Sequence, residues 1–396
     1  MSYQTALETV VKKVRESKDK KQFLLYGATG YTGELITALI EENNLQDLCI
    51  LSGRDPKKVE ALAKKHKVTK TKPFSLDVPN TEVDAILKKL EVSAVLNCAG
   101  PFQRTAHVLI DSCVRTGISY LDITGEIEVF EYSLADQLLN KQAKEKNIVV
   151  TSGVGFDVVP SDCLAASVAE AYKKKYSETA HHLELAISFG DSAALSHGTA
   201  KTMVLGLGKP EPTRRDGKII PGRKLNIVKK VKFPSRSEPT NAVSVPWGDV
   251  STAYHSTSIP NIDVLFEQKR APPALLVWII NLYLVQLILR FLFSIPLFVK
   301  GTEKLVELMP RGPEQDKRKS NEGTSLVGVA SSKDSTKKVR GTAFTTEGYT
   351  FTADSALLST LKVLAGDVKE YGCVTPSIVF GSDFVNTMPK SGVKVE

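Results

Sequence analysis

Gly27, Gly30 and Gly33 recur at every third position in Gly27-Ala28-Thr29-Gly30-Tyr31-Thr32-Gly33, and they are the residues of this chain best suited to seat a phosphate. An apolar run, Gln22 to Tyr26, leads into them, and a helical stretch, Glu34 to Glu42, follows. Gly27 permits a tight turn off a strand, Gly30 lets backbone approach a pyrophosphate, and Gly33 lets the helix pack close to the sheet. The helix start offers N–H groups and the positive end of its dipole to an anion. Glycines also mark ordinary turns, but strand, triplet and helix in this order point to the phosphate loop of a dinucleotide-binding domain. Thr29, Tyr31 and Thr32 fill that loop.

The next element chooses the nucleotide. A second strand, Leu48 to Ser52, ends about twenty residues after the loop, where an NAD site places an acid on the ribose 2′-hydroxyl. Here the chain reads Ser52-Gly53-Arg54. A hydroxyl and a guanidinium can hydrogen-bond a 2′-phosphate that an acid would repel, so NADP(H) is the expected cofactor. The plainer reading leaves Arg54 facing water at a strand end, with Lys57 and Lys58 on a solvated helix face. Asp77 either accepts from the adenine amine or serves a turn. Asn97 either orients a cofactor ribose or caps the turn into Ala99-Gly100-Pro101-Phe102, where Gly100 and Pro101 border the expected nicotinamide crevice.

Two polar loops end at the same sheet edge: Asp122-Ile123-Thr124-Gly125-Glu126, and the stretch from Gly153 to Asp162. Such convergence is what an active-site crevice requires. Asp157 and Thr124 are the candidates there for handling a proton, although Asp157 and Asp162 equally suit helix caps. His197, in Ser196-His197-Gly198-Thr199, is the third candidate, at a helix start that capping alone also explains. The sequence holds no serine hydrolase elbow, no metal-ligand spacing and no Tyr-x-x-x-Lys pair at the expected place.

These residues need a frame, and 396 residues are enough for two domains. The alternation of strands and helices predicts an α/β fold. A Rossmann-type parallel sheet spans residues 1–160, with 352–396 packing back on it. Its expected elements include a strand at Lys72 to Leu76, a helix from His107 to Thr116 and one long helix from Val129 to Lys146. Residues 161–351 form a second, α+β domain with a largely antiparallel sheet, from alternating runs such as Leu183 to Phe189, Asn261 to Phe266 and Val339 to Thr345. The net charge of +8 is dispersed, with no aromatic-interleaved basic block, so nucleic acid is not an expected partner. The five cysteines are widely spaced and suit small core residues in a reducing compartment. Met1 to Lys21 reads as a short amphipathic helix packed on the domain, without the apolar core of a secretory signal.

Ala274 to Leu289 carries no charge and no polar face, so it must be buried in protein or lipid. At about 1.5 Å per residue it reaches about 24 Å, short of a roughly 30 Å bilayer core. Arg290 interrupts it, and Phe291 to Val299 resumes around Pro296. Cationic flanks at Lys269, Arg270, Arg290 and Lys300 suit a helical hairpin over 274–299 dipping into one leaflet or a lipid-droplet surface. The alternative is a helix buried between domains or in a homodimer interface.

The glycine loop, Ser52-Gly53-Arg54, Asn97 to Phe102, Asp122 to Glu126, Gly155 to Asp162, Arg311-Gly312-Pro313-Glu314-Gln315 and Val374-Thr375-Pro376 resemble the saccharopine dehydrogenase-like oxidoreductases, a family that includes the mycobacterial trans-acting enoyl reductases. The resemblance implies a two-domain NADP-binding fold and a reductase in lipid metabolism or, in eukaryotic relatives, a protein of lipid droplets and membranes. It does not imply saccharopine as substrate. Relatives usually carry a tyrosine after the glycine-proline pair and a tyrosine-glycine pair three residues on, where this chain has Phe102 and Thr105-Ala106. Two functions are therefore expected: NADPH-dependent reduction of a hydrophobic, lipid-linked carbonyl or alkene, or a non-catalytic NADP-binding scaffold or sensor. Both belong to an intracellular, membrane-associated protein whose catalytic domain is cytosolic.

Overall fold

The computed structural model describes residues 2–19, 21–189, 200, 211–222, 228–268, 283–308, 312, 313 and 323–396. Contacts divide the chain into two compact units, Met1–Cys163 with Gly348–Gly392, and Leu164–Glu347 with Val393–Glu396.

Helix α1 (Tyr3–Glu16) opens the first unit and buries Ala6, Leu7, Val10 and Val14 along one face, as an amphipathic segment must. Strands β1 (Phe23–Tyr26), β2 (Cys49–Ser52), β3 (Ala94–Asn97), β4 (Ser119–Asp122) and β5 (Val149–Thr151) are buried throughout. That is the signature of strands covered on both faces of a parallel sheet. The intervening helices are α2 (Tyr31–Glu42), α3 (Pro56–Lys65), α4 (Asn80–Leu90), α5 (Phe102–Thr116), α6 (Ile127–Leu134) and α7 (Gln137–Glu145). Helix α8 (Val159–Tyr176) carries the chain from one unit into the other.

The second unit begins with β6 (His182–Ser188), β7 (Glu211–Arg215), β8 (Lys218–Gly222), β9 (Val228–Val231) and β10 (Thr240–Ser244). It continues through α9 (Asp249–Thr257), β11 (Asn261–Gln268), α10 (Tyr283–Ser294), α11 (Pro296–Glu307), β12 (Thr324–Ser331) and β13 (Lys338–Thr345). The chain then returns to the first unit with α12 (Gly348–Leu364), β14 (Gly372–Cys373) and α13 (Pro376–Phe380), and ends on β15 (Gly392–Val395).

The first sheet runs β14-β5-β4-β3-β1-β2, every pair parallel. From β1 the chain steps outward to β2 and then crosses to β3 on the other side. The strand order therefore reverses between β1 and β3, and ligands of such sheets bind in the crevice outside the carboxyl ends at that point. Helix α12 is buried from Phe351 to Leu361 and lies against α1, α2, β3 and β4.

Three expected elements are corrected. Residues 72–76 form no strand: Lys72 N and Phe74 N bond to Leu51 O and Gly53 O, but Thr71 makes a lone bridge and Pro73 has no amide with which to extend the ladder. The stretch from Val129 to Lys146 breaks in two because Asp136 caps α7, accepting from Leu138 N and Leu139 N, both at 2.9 Å. Helix α5 begins at Phe102, a turn and a half before His107.

The second unit is built on a mixed sheet, β15-β13-β12-β6-β11-β10-β9, with the β7–β8 hairpin attached to β11. The pairs β9–β10, β10–β11, β6–β12 and β12–β13 are antiparallel, and β6 pairs with β11 in parallel. Residues 274–282 of the apolar stretch lie outside the described residues. The remainder forms α10 and α11, separated at Ile295-Pro296. No described helix is long and apolar enough to cross a membrane.

Candidate functional site

The loop after β1 is pressed against the exit of β3. A Cβ added at Gly27 would lie 2.6 Å from Ala99 N, and the residue holds φ at +82°, so both space and backbone demand glycine. At Gly33 a Cβ would lie 2.4 Å from Gly27 O, which brings the start of α2 against the loop itself. Helix α2 begins at Tyr31, three residues earlier than the sequence suggests, with Gly30 as N-cap and no side chain capping it. Its first intrahelical bond is Glu34 N to Gly30 O at 2.9 Å. The positive end of α2 thus meets the crevice without a carboxylate at the cap position.

Helix α5 starts at the same edge and is treated differently. Glu126, buried after β4, accepts from Phe102 N at 2.9 Å and from Gln103 N at 2.8 Å. Of the two helix starts flanking the switch point, α5 has its first amides taken by a carboxylate, whereas the cap position of α2 is a glycine and its acidic residue, Glu34, stands one turn further on.

Ser52 has a different duty from the one expected. Its hydroxyl is buried and donates to Lys72 O at 2.6 Å, while its carbonyl accepts from Gly27 N and Ala28 N, both at 3.0 Å. It braces the phosphate loop from below. Arg54 lies beyond it, exposed, and makes no ion pair among the described residues. The hydroxyl of Tyr26, a core residue, is pushed up to about 12, chiefly by burial, with Arg54 opposing and Asp77 adding to the shift. Asp77 is exposed, and it exchanges hydrogen bonds with Ser75 at 3.1 and 3.2 Å in a local turn.

A buried polar network floors the crevice. Asn97 accepts from Ala99 N at 3.0 Å and donates to Thr105 Oγ1 and Tyr120 Oη, both at 3.1 Å. Both amide hydrogens are therefore spent inside the protein, and the turn-capping role is the one its geometry fills. Thr105 passes its own hydrogen to Ala99 O at 2.7 Å. Tyr120 donates to Asp122 at 2.8 Å, and Asp122 also accepts from Ser152 Oγ, Thr124 N and Gly153 N at 2.9–3.0 Å. Burial lifts the Asp122 carboxyl to about 6 even though those four hydrogen bonds favour the charge.

Thr124 and Asp157, both candidates from the loops expected at this sheet edge, have separate parts. Thr124 is buried, and its hydroxyl accepts Glu126 N at 3.0 Å, which makes it a turn former that aims Glu126. Asp157, in the loop after β5, is partly exposed, and burial raises its carboxyl to about 7. A Cβ at Gly125 would stand 2.9 Å from Asp157 Oδ2, so the loops after β4 and β5 touch there. Asp162 accepts Ser377 N at 2.7 Å, at the first turn of α13. Gly53 is buried beneath the loop and exposed Gly100 leads with Pro101 into α5. His197, Arg311, Glu314 and Gln315 lie outside the described residues. Among the described residues no three acidic, histidine or cysteine side chains could hold a metal ion.

Local sequence signals carried the glycine loop. The roles of Glu126, Tyr120 and Ser152 were missed because each acts on a partner brought near by the sheet; the pair of polar loops was the one available hint.

Residues 23–152 match the family described as the saccharopine dehydrogenase NADP binding domain. This third of the chain forms an NADP-binding domain of that type. A trans-acting enoyl reductase of Mycobacterium ulcerans (strain Agy99) is 30% identical over 147 residues, which cover 36% of this chain and 34% of that protein. A lipid droplet localized protein of Caenorhabditis elegans is 27% identical over 194 residues, 46% of this chain and 44% of that protein. The chain thus spans less than half the length of either relative. Among solved structures, a homospermidine synthase of Legionella pneumophila in complex with NAD superposes with a TM-score of 0.60 over 96% of this chain and 92% of that one. At 11% identity that likeness is one of fold.

Proposed function

We propose that the chain, through its saccharopine dehydrogenase-type NADP-binding domain, is an NADPH-dependent oxidoreductase that reduces a hydrophobic, lipid-linked carbonyl or alkene. The observation that carries this reading is the contrast at the switch point. Helix α2 begins without a side-chain cap beside a glycine loop pinned by Ser52 O, with the exposed Arg54 above the next strand, whereas α5 is closed by Glu126. Gly27, Thr29, Gly30, Tyr31, Thr32 and Gly33 would hold the pyrophosphate, and Arg54 the 2′-phosphate. When bound, the reduced dinucleotide supplies a hydride.

The chain's own contribution is a place for the proton. Burial raises the Asp157 carboxyl to about 7, so part of the population holds its proton at neutral pH, at the edge where the loops after β4 and β5 meet. It can give that proton to the atom on which negative charge develops and recover it from water. Glu126 and Asp122 hold the two loops in place. NADPH consumption, followed by absorbance with long-chain enones and ketones, tests the reading; turnover that survives Asp157→Asn unchanged would remove Asp157 from it.

A second reading is a non-catalytic NADP-binding scaffold at a lipid surface. It is favoured by the consumption of Asn97, Tyr120 and Ser152 inside the protein and by Phe102 in place of a tyrosine. Lipid contact is common to both readings. Its support is the exposed apolar surface of α10 and α11, with Phe291 66% and Leu297 80% exposed beside the exposed Arg290 and Lys300, together with the name of the nematode relative.

A further inference from the structure

Tyr31 is the first residue of α2, directly after the N-cap Gly30. Side chains on a helix lean toward its N-terminus, so a ring at this position, without a neighbour to restrain it, can swing across the space from which a pyrophosphate would approach. The Tyr31 ring does not stand alone: Tyr349, from the first turn of α12, meets it edge to face with centroids 5.0 Å apart and planes at 84°. Both rings are partly exposed.

The same turn of α12 is fastened to the other loop of this sheet edge. Thr352 Oγ1 accepts Phe156 N at 3.0 Å, and the Phe351 ring meets that of Phe156 at 6.2 Å and 86°. A Cβ at Gly348 would lie 3.4 Å from the Phe156 ring, and one at Gly155 would lie 2.7 Å from Thr352 Cγ2. One helical turn therefore grips the loop that carries Asp157 and reaches the tyrosine of the phosphate loop.

We propose that Tyr349 is a positioning residue for the dinucleotide: it holds the Tyr31 ring aside from the pyrophosphate and makes cofactor retention depend on the returning C-terminal segment. This rests on the reading of the α2 start as the cofactor site. Because α12 follows β13 after only Thr346 and Glu347, the residue that steadies the cofactor mouth lies four residues along the chain from a strand of the second unit.

The test uses the full chain, with NADPH affinity read from its fluorescence and thermal unfolding read without cofactor. Tyr349→Ala should weaken NADPH roughly tenfold, while the unfolding midpoint of the cofactor-free protein falls by no more than the loss of one partly exposed aromatic pair allows, a few degrees. Tyr349→Phe keeps the ring edge and should restore wild-type affinity. Tyr31→Ala combined with Tyr349→Ala should lose less than the sum of the two, since each ring acts through the other. Should the alanine variant fail to fold, Tyr349→Leu retains bulk without the ring and should show the same tenfold loss. Wild-type affinity in Tyr349→Ala or Tyr349→Leu, or additive losses in the double variant, would overturn the proposal. Absence of NADPH binding by the unaltered chain would instead overturn the cofactor site itself.

Discussion

The Glu126 carboxylate accepts the Phe102 amide at 2.9 Å, across 24 positions of sequence, and so closes the start of α5. Two helices begin at the switch point of the parallel sheet, and this bond supplies one of them, α5, with a carboxylate at its first turn. Replacing Glu126 by alanine strands two first-turn amides and should cost about 1–2 kcal/mol of stability, the usual range for a lost cap. Glu126→Gln, which keeps one carbonyl acceptor, should cost less. Urea unfolding of the three proteins gives the ranking; alanine and glutamine variants as stable as the parent would show the cap to be idle.

Arg54 sets the choice of nucleotide. Arg54→Ala should weaken NADPH by about one to two powers of ten, the range for hydrogen bonds to a charged phosphate, while leaving NADH nearly unchanged. Titration with both nucleotides decides it. Equal losses would place the 2′-phosphate elsewhere.

The crevice should also leave a mark on the pH dependence of stability. Asp122, Asp157 and Asp354 have carboxyls raised to about 6, 7 and 7, chiefly by burial. Against an unfolded value of roughly 3.9, the folded chain binds these protons more tightly, so the sign is the reverse of the usual carboxylate case. Their contribution to stability is greatest below about pH 4, falls as pH rises toward about 7, and is flat above. Asp354, buried against Tyr3 of α1, takes no part in the expected chemistry and isolates the effect. The stability difference between the parent and Asp354→Asn should shift with pH between 4 and 7, and a difference constant with pH would contradict the assignment.

Lipid attachment through α10 and α11 makes a separate prediction. Leu297→Ser and Phe291→Ser should each reduce co-flotation with phospholipid vesicles, by roughly tenfold in affinity for a side chain that enters the apolar layer. Flotation equal to that of the unaltered chain would assign these exposed residues to another role.

The parts legible in sequence were those written in neighbouring residues. Glycine spacing between an apolar run and a helix placed Gly27 to Gly33, and continuous apolar runs placed β1, β2 and β3. The missing strand at 72–76 was local too, since Pro73 was there to be read. What stayed hidden depends on chain brought back by the fold. Ser52 looked like a ligand to phosphate because its buried partner, Lys72 O, is twenty positions away. Thr124 looked like a proton handler, although the turn in which its hydroxyl accepts Glu126 N is only two residues long; what the sequence hid is that this turn aims Glu126 at α5. Tyr349 carried no signal at all, because nothing in its neighbourhood mentions Tyr31.

The most direct measurement is to incubate the purified chain with NADPH deuterated at the transferable position and a lipid extract, and to search the lipids for deuterium by mass spectrometry. A reductase transfers the label to one class of lipid, with an equal amount of NADP+ formed and with loss of transfer in Asp157→Asn. NADPH bound in the same sample, with no deuterium in any lipid, would contradict the reductase reading and leave the cofactor-binding scaffold.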